Sequence, residues 1–266
     1  MAERDRNLAP VRFRGAGFAP GDSRFGGAVA LVCLIALWQA ASSFLGVSPL
    51  FLPSPAAIVS ALWRLVTQGD LLSQIGISAL RILAGWSLGA VAGLAVGLAM
   101  GLFTFARAAG FAIVSALFPI PKIALLPLMI LWLGIGESSK IATIALGVFF
   151  PTAISAASGV DAVPRNLIRM AQSFGLPFGD IVRKVVLPGA LPSILAGFRI
   201  STSIALLLVV SAEMVGAEKG IGAFVLQAGN LMQTDQLLAG VVVLSLLGLV
   251  VARAIGALER RFVGWR

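Results

Sequence analysis

Residues 26–45 and 82–106 each run without a single charge. An α-helix needs roughly 20 apolar residues to cross the ~30 Å hydrocarbon layer of a bilayer, and these runs meet that length. The whole chain of 266 residues is 59% hydrophobic and 12% charged, where a soluble domain carries about 25% charged residues. The fold class that follows is an all-α polytopic membrane protein. About six transmembrane helices are expected, over residues 26–45, 82–106, 111–133, 141–160, 193–212 and 236–252.

The formal net charge of +9 does not point to nucleic acid, because the basic residues form no single patch. They gather at the ends of the apolar runs. The N-terminal stretch, Arg107, the island at 161–188 and the C-terminal stretch hold 14 of the 20 Lys and Arg. Arg64, Lys140 and Lys219 fall on the other side, the asymmetry of the positive-inside rule with both termini and the island cytoplasmic. One cysteine, Cys33, excludes a disulfide framework or a cysteine metal cluster within one chain. With no His and no Tyr, and no nucleophile beside a base, catalysis by this chain is not expected.

Residues 1–25 read as a mobile basic tail, since Arg4, Arg6, Arg12, Arg14 and Arg24 alternate with Gly and Pro without a helical period. Residues 26–73 hold the first span, read as an uncleaved anchor on its length, and a short helix. In Leu52-Pro-Ser54-Pro55, Ser54 suits an N-cap and Pro55 a first helical position. The helix that follows puts Ile58, Leu62, Leu65 and Val66 on one face, which fits either a membrane-surface helix or a packed loop helix. The main domain is expected over 74–258, and 259–266 as a second cytoplasmic tail.

Gly85, Gly89, Gly93, Gly97 and Gly101 recur at every fourth residue and so share one helix face. This predicts a smooth groove for close approach of another helix backbone. The run 111–133 contains Pro119, Pro121 and Pro127 with Lys122 among them, and proline removes backbone donors. A discontinuous helix is expected there, of the kind that lines a cavity. Lys122 either attracts a small anion or snorkels to the interface. Arg81 and Arg199 read as snorkelling near span ends, and Glu213 as a gate or, by preference, an interface residue.

The island at 161–188 is too long for a turn between membrane helices. Pro164 starts a helix with Leu167, Ile168, Ala171 and Phe174 on one face; Gly175 suits its left-handed end. Pro177 starts a second helix, with Ile181, Val182, Val185 and Val186 inward, that is expected to end at Leu187-Pro188. This segment resembles the cytoplasmic loop of ATP-binding-cassette (ABC) importer membrane subunits, whose pattern is Glu-Ala-Ala, three residues, Gly, nine residues, Ile, one residue, Leu-Pro. Here it falls on Arg169-Met170-Ala171, Gly175, Val185 and Leu187-Pro188, with Arg169 where the family carries glutamate. The resemblance runs from about Leu52 onward. It looks closest to the nitrate, taurine and aliphatic sulfonate branch through Leu52-Pro-Ser-Pro55, Ile130-Leu-Trp-Leu-Gly-Ile-Gly-Glu-Ser-Ser-Lys140, Arg183-Lys-Val-Val-Leu-Pro188 and Ala212-Glu-Met214.

The resemblance implies a type I importer transmembrane domain in a bacterial inner membrane, working as a homodimer of permeases. Two cytoplasmic ATPase subunits would use ATP and Mg, and a periplasmic binding protein would deliver a small solute such as nitrate, taurine or an alkanesulfonate. Arg169, Ala171, Gly175, Val185, Leu187 and Pro188 would couple to the ATPase; Lys122, Arg199 and Glu213 are the pathway candidates. The chain shows no Gly-x-x-x-x-Gly-Lys-Ser/Thr phosphate loop, so it is not expected to bind ATP through that motif. The alternative is a secondary transporter driven by an ion gradient, whose mark would be paired broken segments in two repeated halves.

Overall fold

Apolar length becomes helix among the described residues. The computed structural model describes residues 25–44 and 48–262, and among them the regular elements are all helical. The expected tail 1–25, apart from Phe25, lies outside the described residues, as does Arg266. The chain divides into two compact units, Met1–Ala57 and Ile58–Arg266.

The first unit holds α1 (Gly26–Phe44), which is apolar and long enough to span a bilayer. It also holds the start of α2 (Pro55–Thr67). The Ala57 N–H donates to Ser54 Oγ at 3.1 Å, which satisfies one of the free amides of that helix end. The Ala56 N–H reaches Gln39 Oε1 of α1 at 3.2 Å.

The second unit follows with α3 (Leu71–Leu102), α4 (Thr104–Leu117), a 3₁₀ turn at Lys122–Leu125 and α5 (Leu126–Leu133). Next come α6 (Glu137–Asp161), α7 (Arg165–Ser173) and α8 (Phe178–Ile181). A π turn at Val182–Val186, α9 (Leu187–Gly216), α10 (Ile221–Asn230) and α11 (Thr234–Phe262) complete it. Among the described residues five helices are long and apolar enough to span, and six spans result if the pair Thr104–Leu117 and Lys122–Leu133, bent by 86°, counts as one. The bend falls where Pro119 and Pro121 remove backbone donors.

Two differences from the expected boundaries bear on the site. The span expected at 82–106 starts at Leu71, so Arg81 lies inside the helix rather than at its end. The helix expected to stop at Leu187-Pro188 continues, giving one helical run from Phe178 to Gly216. The π turn explains why. The Leu187 N–H donates to Val182 O, five residues back, and this wider turn admits the Pro188 ring, which in a regular α-helix clashes with the carbonyl four residues earlier.

The heart of the second unit is α6, clasped between α3 and α9. Gly85, Gly89, Gly93, Gly97 and Gly101 of α3 all face α6. A methyl group on Gly93 would stand 2.5 Å from Phe149 O and 2.9 Å from Thr152 Cβ, and one on Gly89 would strike Ala145 O. Small residues answer from α6: Ala153, Ala156 and Ala157 are fully buried. Close backbone approach of this kind is how helices pack when lipid removes the hydrophobic drive between them.

Candidate functional site

The two ends of the α6–α9 pair carry different chemistry. At one end α6 stops at Asp161, and the loop 161–188 returns the chain to α9. Arg107 of α4 holds Asp161 by two hydrogen bonds of 2.7 and 2.8 Å, fixing where the loop departs. Helix α7 ends in a Schellman motif: Gly175 has φ +73, its N–H donates to Gln172 O at 2.9 Å, and the Leu176 N–H donates to Ala171 O at 3.2 Å. A left-handed residue is required there, which is why glycine occupies the position.

Ala171, Ile181 and Val186 are buried in one cluster with Ala156, Val160, Ala190 and Ile194 of the long helices, with Ile168, Leu176 and Val185 packed against it. The loop is thus welded to α6 and α9 rather than hanging from them. Its outer side is apolar and open: Phe174 is 75% exposed, with Leu167, Met170 and Phe178 also exposed. A groove of ≈ 310 Å³ runs beside them between α7 and the start of α9, lined by Met170, Ala171, Val185 and Pro188. Arg165, Arg169 and Arg183 are exposed on the same element.

At the bend, Lys122 caps the end of α4. Its Nζ donates to Leu117 O, Phe118 O and Ile120 O at 2.9, 2.6 and 2.8 Å, and stands 4.4 Å from the Phe150 ring centroid. A lysine ammonium has three donors, so these carbonyls take them all. The side chain satisfies the orphan carbonyls that the broken helix leaves behind.

The far end, where α3 and α6 begin and α9 stops, holds a buried polar cluster. Glu213, fully buried, accepts from Ser78 Oγ at 2.8 Å, Arg81 Nη1 at 2.7 Å and the Gly222 N–H at 2.8 Å. Arg81 is 4% exposed, and donates from Nε and Nη2 to the two carboxylate oxygens of Glu137, both at 2.6 Å, and from Nη1 to Lys219 O at 2.6 Å. Gly220, at φ +124, turns the chain so that three successive amides find acceptors: Gly220 N–H at Gln74 Oε1, Ile221 N–H at Ser78 Oγ, and Gly222 N–H at Glu213. These are the otherwise unpaired amides at the start of α10, and a carboxylate there is favoured by the helix dipole.

Residues 85–264 match the family model of the binding-protein-dependent transport system inner membrane component. The chain belongs to this family. It is an ABC importer permease of the taurine and aliphatic sulfonate branch. It is 37% identical over 240 residues to the taurine transport system permease protein TauC of Escherichia coli, covering 88% of this chain and 87% of that one. It is also 38% identical over 234 residues to the putative aliphatic sulfonates transport permease protein SsuC of the same organism, covering 88% and 89%. Among solved structures, an inward-facing MetNI methionine ABC transporter matches with a TM-score of 0.62 and 25% identity over 72% of this chain and 95% of that chain. Membership of this family does not favour the ion-gradient alternative.

In the permease, Arg169, Gly175 and Pro188 are exposed on the loop, Ala171 is buried beneath it, and Val185 and Leu187 are half-buried. The pathway candidates do not come together: Lys122 caps the bend, Arg199 is exposed on α9, and Glu213 is buried at the far end. Glu213 therefore departs from the preferred interface reading and Arg81 from snorkelling, because each neutralises the other in a buried pair. Sequence reasoning missed Ser78, Glu137 and the Gly220 turn. The available signal was the pairing of intramembrane Arg81 with Ala212-Glu-Met214, although 132 residues separate the partners.

Proposed function

We propose that this permease carries a small sulfonate across the membrane in an ATP-driven importer, and that loop 161–188 is where separate ATPase subunits dock. The observation that carries this is the pairing of a rigid root with an open apolar face. Ala171, Ile181 and Val186 anchor the loop in the same core as α6 and α9, while Phe174 at the end of α7 and Phe178 at the start of the long helical run Phe178–Gly216 stay exposed. Exposed aromatic residues on a fixed scaffold are the features of a protein–protein hot spot. A push on α7 is transmitted to the two helices that meet at the core.

On this reading the loop and both termini are cytoplasmic, in keeping with Arg107, Arg165, Arg169, Arg183 and Lys184 gathered at the loop end. The polar cluster then faces the outside, where a binding protein would deliver solute to a dimer of permeases. Kinship with the taurine and sulfonate permeases supports a sulfonate cargo. ATP and Mg would be bound by the partner subunits. The test is co-purification: the wild-type chain in mild detergent should bring down its ATPase, and Phe174→Asp should release it without lowering thermal stability. Undiminished capture by Phe174→Asp would remove the loop from the docking role.

A further inference from the structure

A cavity of ≈ 660 Å³ opens beside the far-end cluster, lined by Leu80 and Arg81 of α3, Glu137 and Lys140 of α6, and Glu218 and Lys219 beyond α9. Its size lies within the roughly 300–1,000 Å³ of small-molecule sites. Lys140 is the informative residue. It is 5% exposed, and among the described residues its ammonium donates only to Gly136 O, at 2.9 Å. A lysine ammonium has three donors, so beyond the bond to Gly136 O two N–H groups remain to serve a ligand in the cavity that Lys140 lines.

The neighbouring carboxylates do not take these donors. Glu137 accepts two hydrogen bonds from Arg81 and none from Lys140, which leaves lone pairs free on its exposed side, and Glu213 is engaged by Ser78, Arg81 and Gly222. Lys140 also sits in the first turn of α6, where the helix dipole adds positive potential. Its remaining donors and this potential suit an anionic oxygen entering the cavity. At the mouth, Glu218 and Lys219 are exposed, and Glu137 keeps 58% of its side chain accessible. Carboxylates thus stand beside the cationic floor.

We propose that this cavity is a binding site for a short zwitterion, with its sulfonate on Lys140 and Lys219 and its ammonium facing Glu218 and Glu137. The inference rests on the sulfonate reading above and deepens it, since a site of both signs prefers an aminosulfonate to a plain alkanesulfonate. Arg81 contributes by holding Glu137 in place rather than by touching the solute. The ligand meets the permease here before it enters the bundle.

The test is equilibrium binding of radiolabelled taurine to the full chain in lipid nanodiscs, without nucleotide or binding protein. Saturable binding is expected, weakened at least tenfold by Lys140→Met and severalfold by Lys219→Met, whose exposed side chain makes misfolding an unsuitable explanation. Glu218→Gln should weaken taurine but leave competition by ethanesulfonate, which has no ammonium, unchanged. Absence of binding to the wild type, or wild-type affinity in both lysine variants, would overturn the site. ATPase capture is read on the same preparations, so a failure of the cavity is seen separately from a failure of the docking loop.

Discussion

Glu213→Ala is expected to be the most damaging single change at the far end, and its size can be worked from the geometry. The carboxylate is fully buried, and so nearly is its partner Arg81, at 2.7 Å. Removing one member of a buried ion pair costs about 3–5 kcal/mol, because the remaining charge is left uncompensated. Here Arg81 keeps Glu137, which offsets part of that; but Gly222 N–H loses its acceptor and Ser78 loses a partner, each such loss costing about 1–3 kcal/mol. The two corrections oppose each other, so the estimate stays at about 3–5 kcal/mol. At roughly 2–4 °C per kcal/mol for a chain of this size, the melting temperature should fall by roughly 6–20 °C. Glu137→Ala breaks the other arm of the same arginine, but 58% of the Glu137 side chain is exposed, and an exposed pair contributes about 0–1 kcal/mol. Thermal unfolding in detergent followed by tryptophan fluorescence measures both. A Glu213→Ala protein within about 2 °C of wild type, or one more stable than Glu137→Ala, would refute the reasoning.

Gly93→Val puts a branched side chain against Phe149 O and Thr152 and should cost at least about 1–3 kcal/mol through overpacking, whereas Gly27→Val, with open space around it, should be tolerated; unfolding temperatures decide. Gly175→Ala meets no atom within 4 Å but must hold φ +73, so a backbone cost of about 1–2 kcal/mol is expected, together with slower ATP-driven uptake, while Gly179→Ala changes neither. Lys122→Met leaves Leu117 O, Phe118 O and Ile120 O without their donor. It should therefore lower the unfolding temperature while leaving taurine affinity unchanged, as measured on one nanodisc preparation.

What could be read from the chain beforehand is what depends on near neighbours. Uncharged stretches of bilayer length announce helices, and the four-residue glycine spacing announces a flat face because both signals are local. The loop was legible through Pro164, Gly175 and Pro177, which act on the residues beside them. The continuation through Leu187-Pro188 was not, since Leu-Pro at the end of a short amphipathic helix reads as its stop, and the π turn that precedes it has no side-chain signature. The start of α3 was hidden for a related reason. Arg81 looks like the edge of a span until its partners Glu137 and Glu213, far away in the chain, are seen to neutralise it. Lys122 stands out in the sequence as an intramembrane charge, but its role depends on which way the carbonyls at the bend point.

The most direct test of the account is sulfonate uptake into vesicles holding the permease together with its ATPase and binding protein, measured with and without internal or external ATP on the ATPase side. Taurine should accumulate only when nucleotide reaches the loop face, and Phe174→Asp should abolish that accumulation while the permease remains folded. Accumulation by the permease without nucleotide, or full ATP-driven uptake by Phe174→Asp, would contradict it.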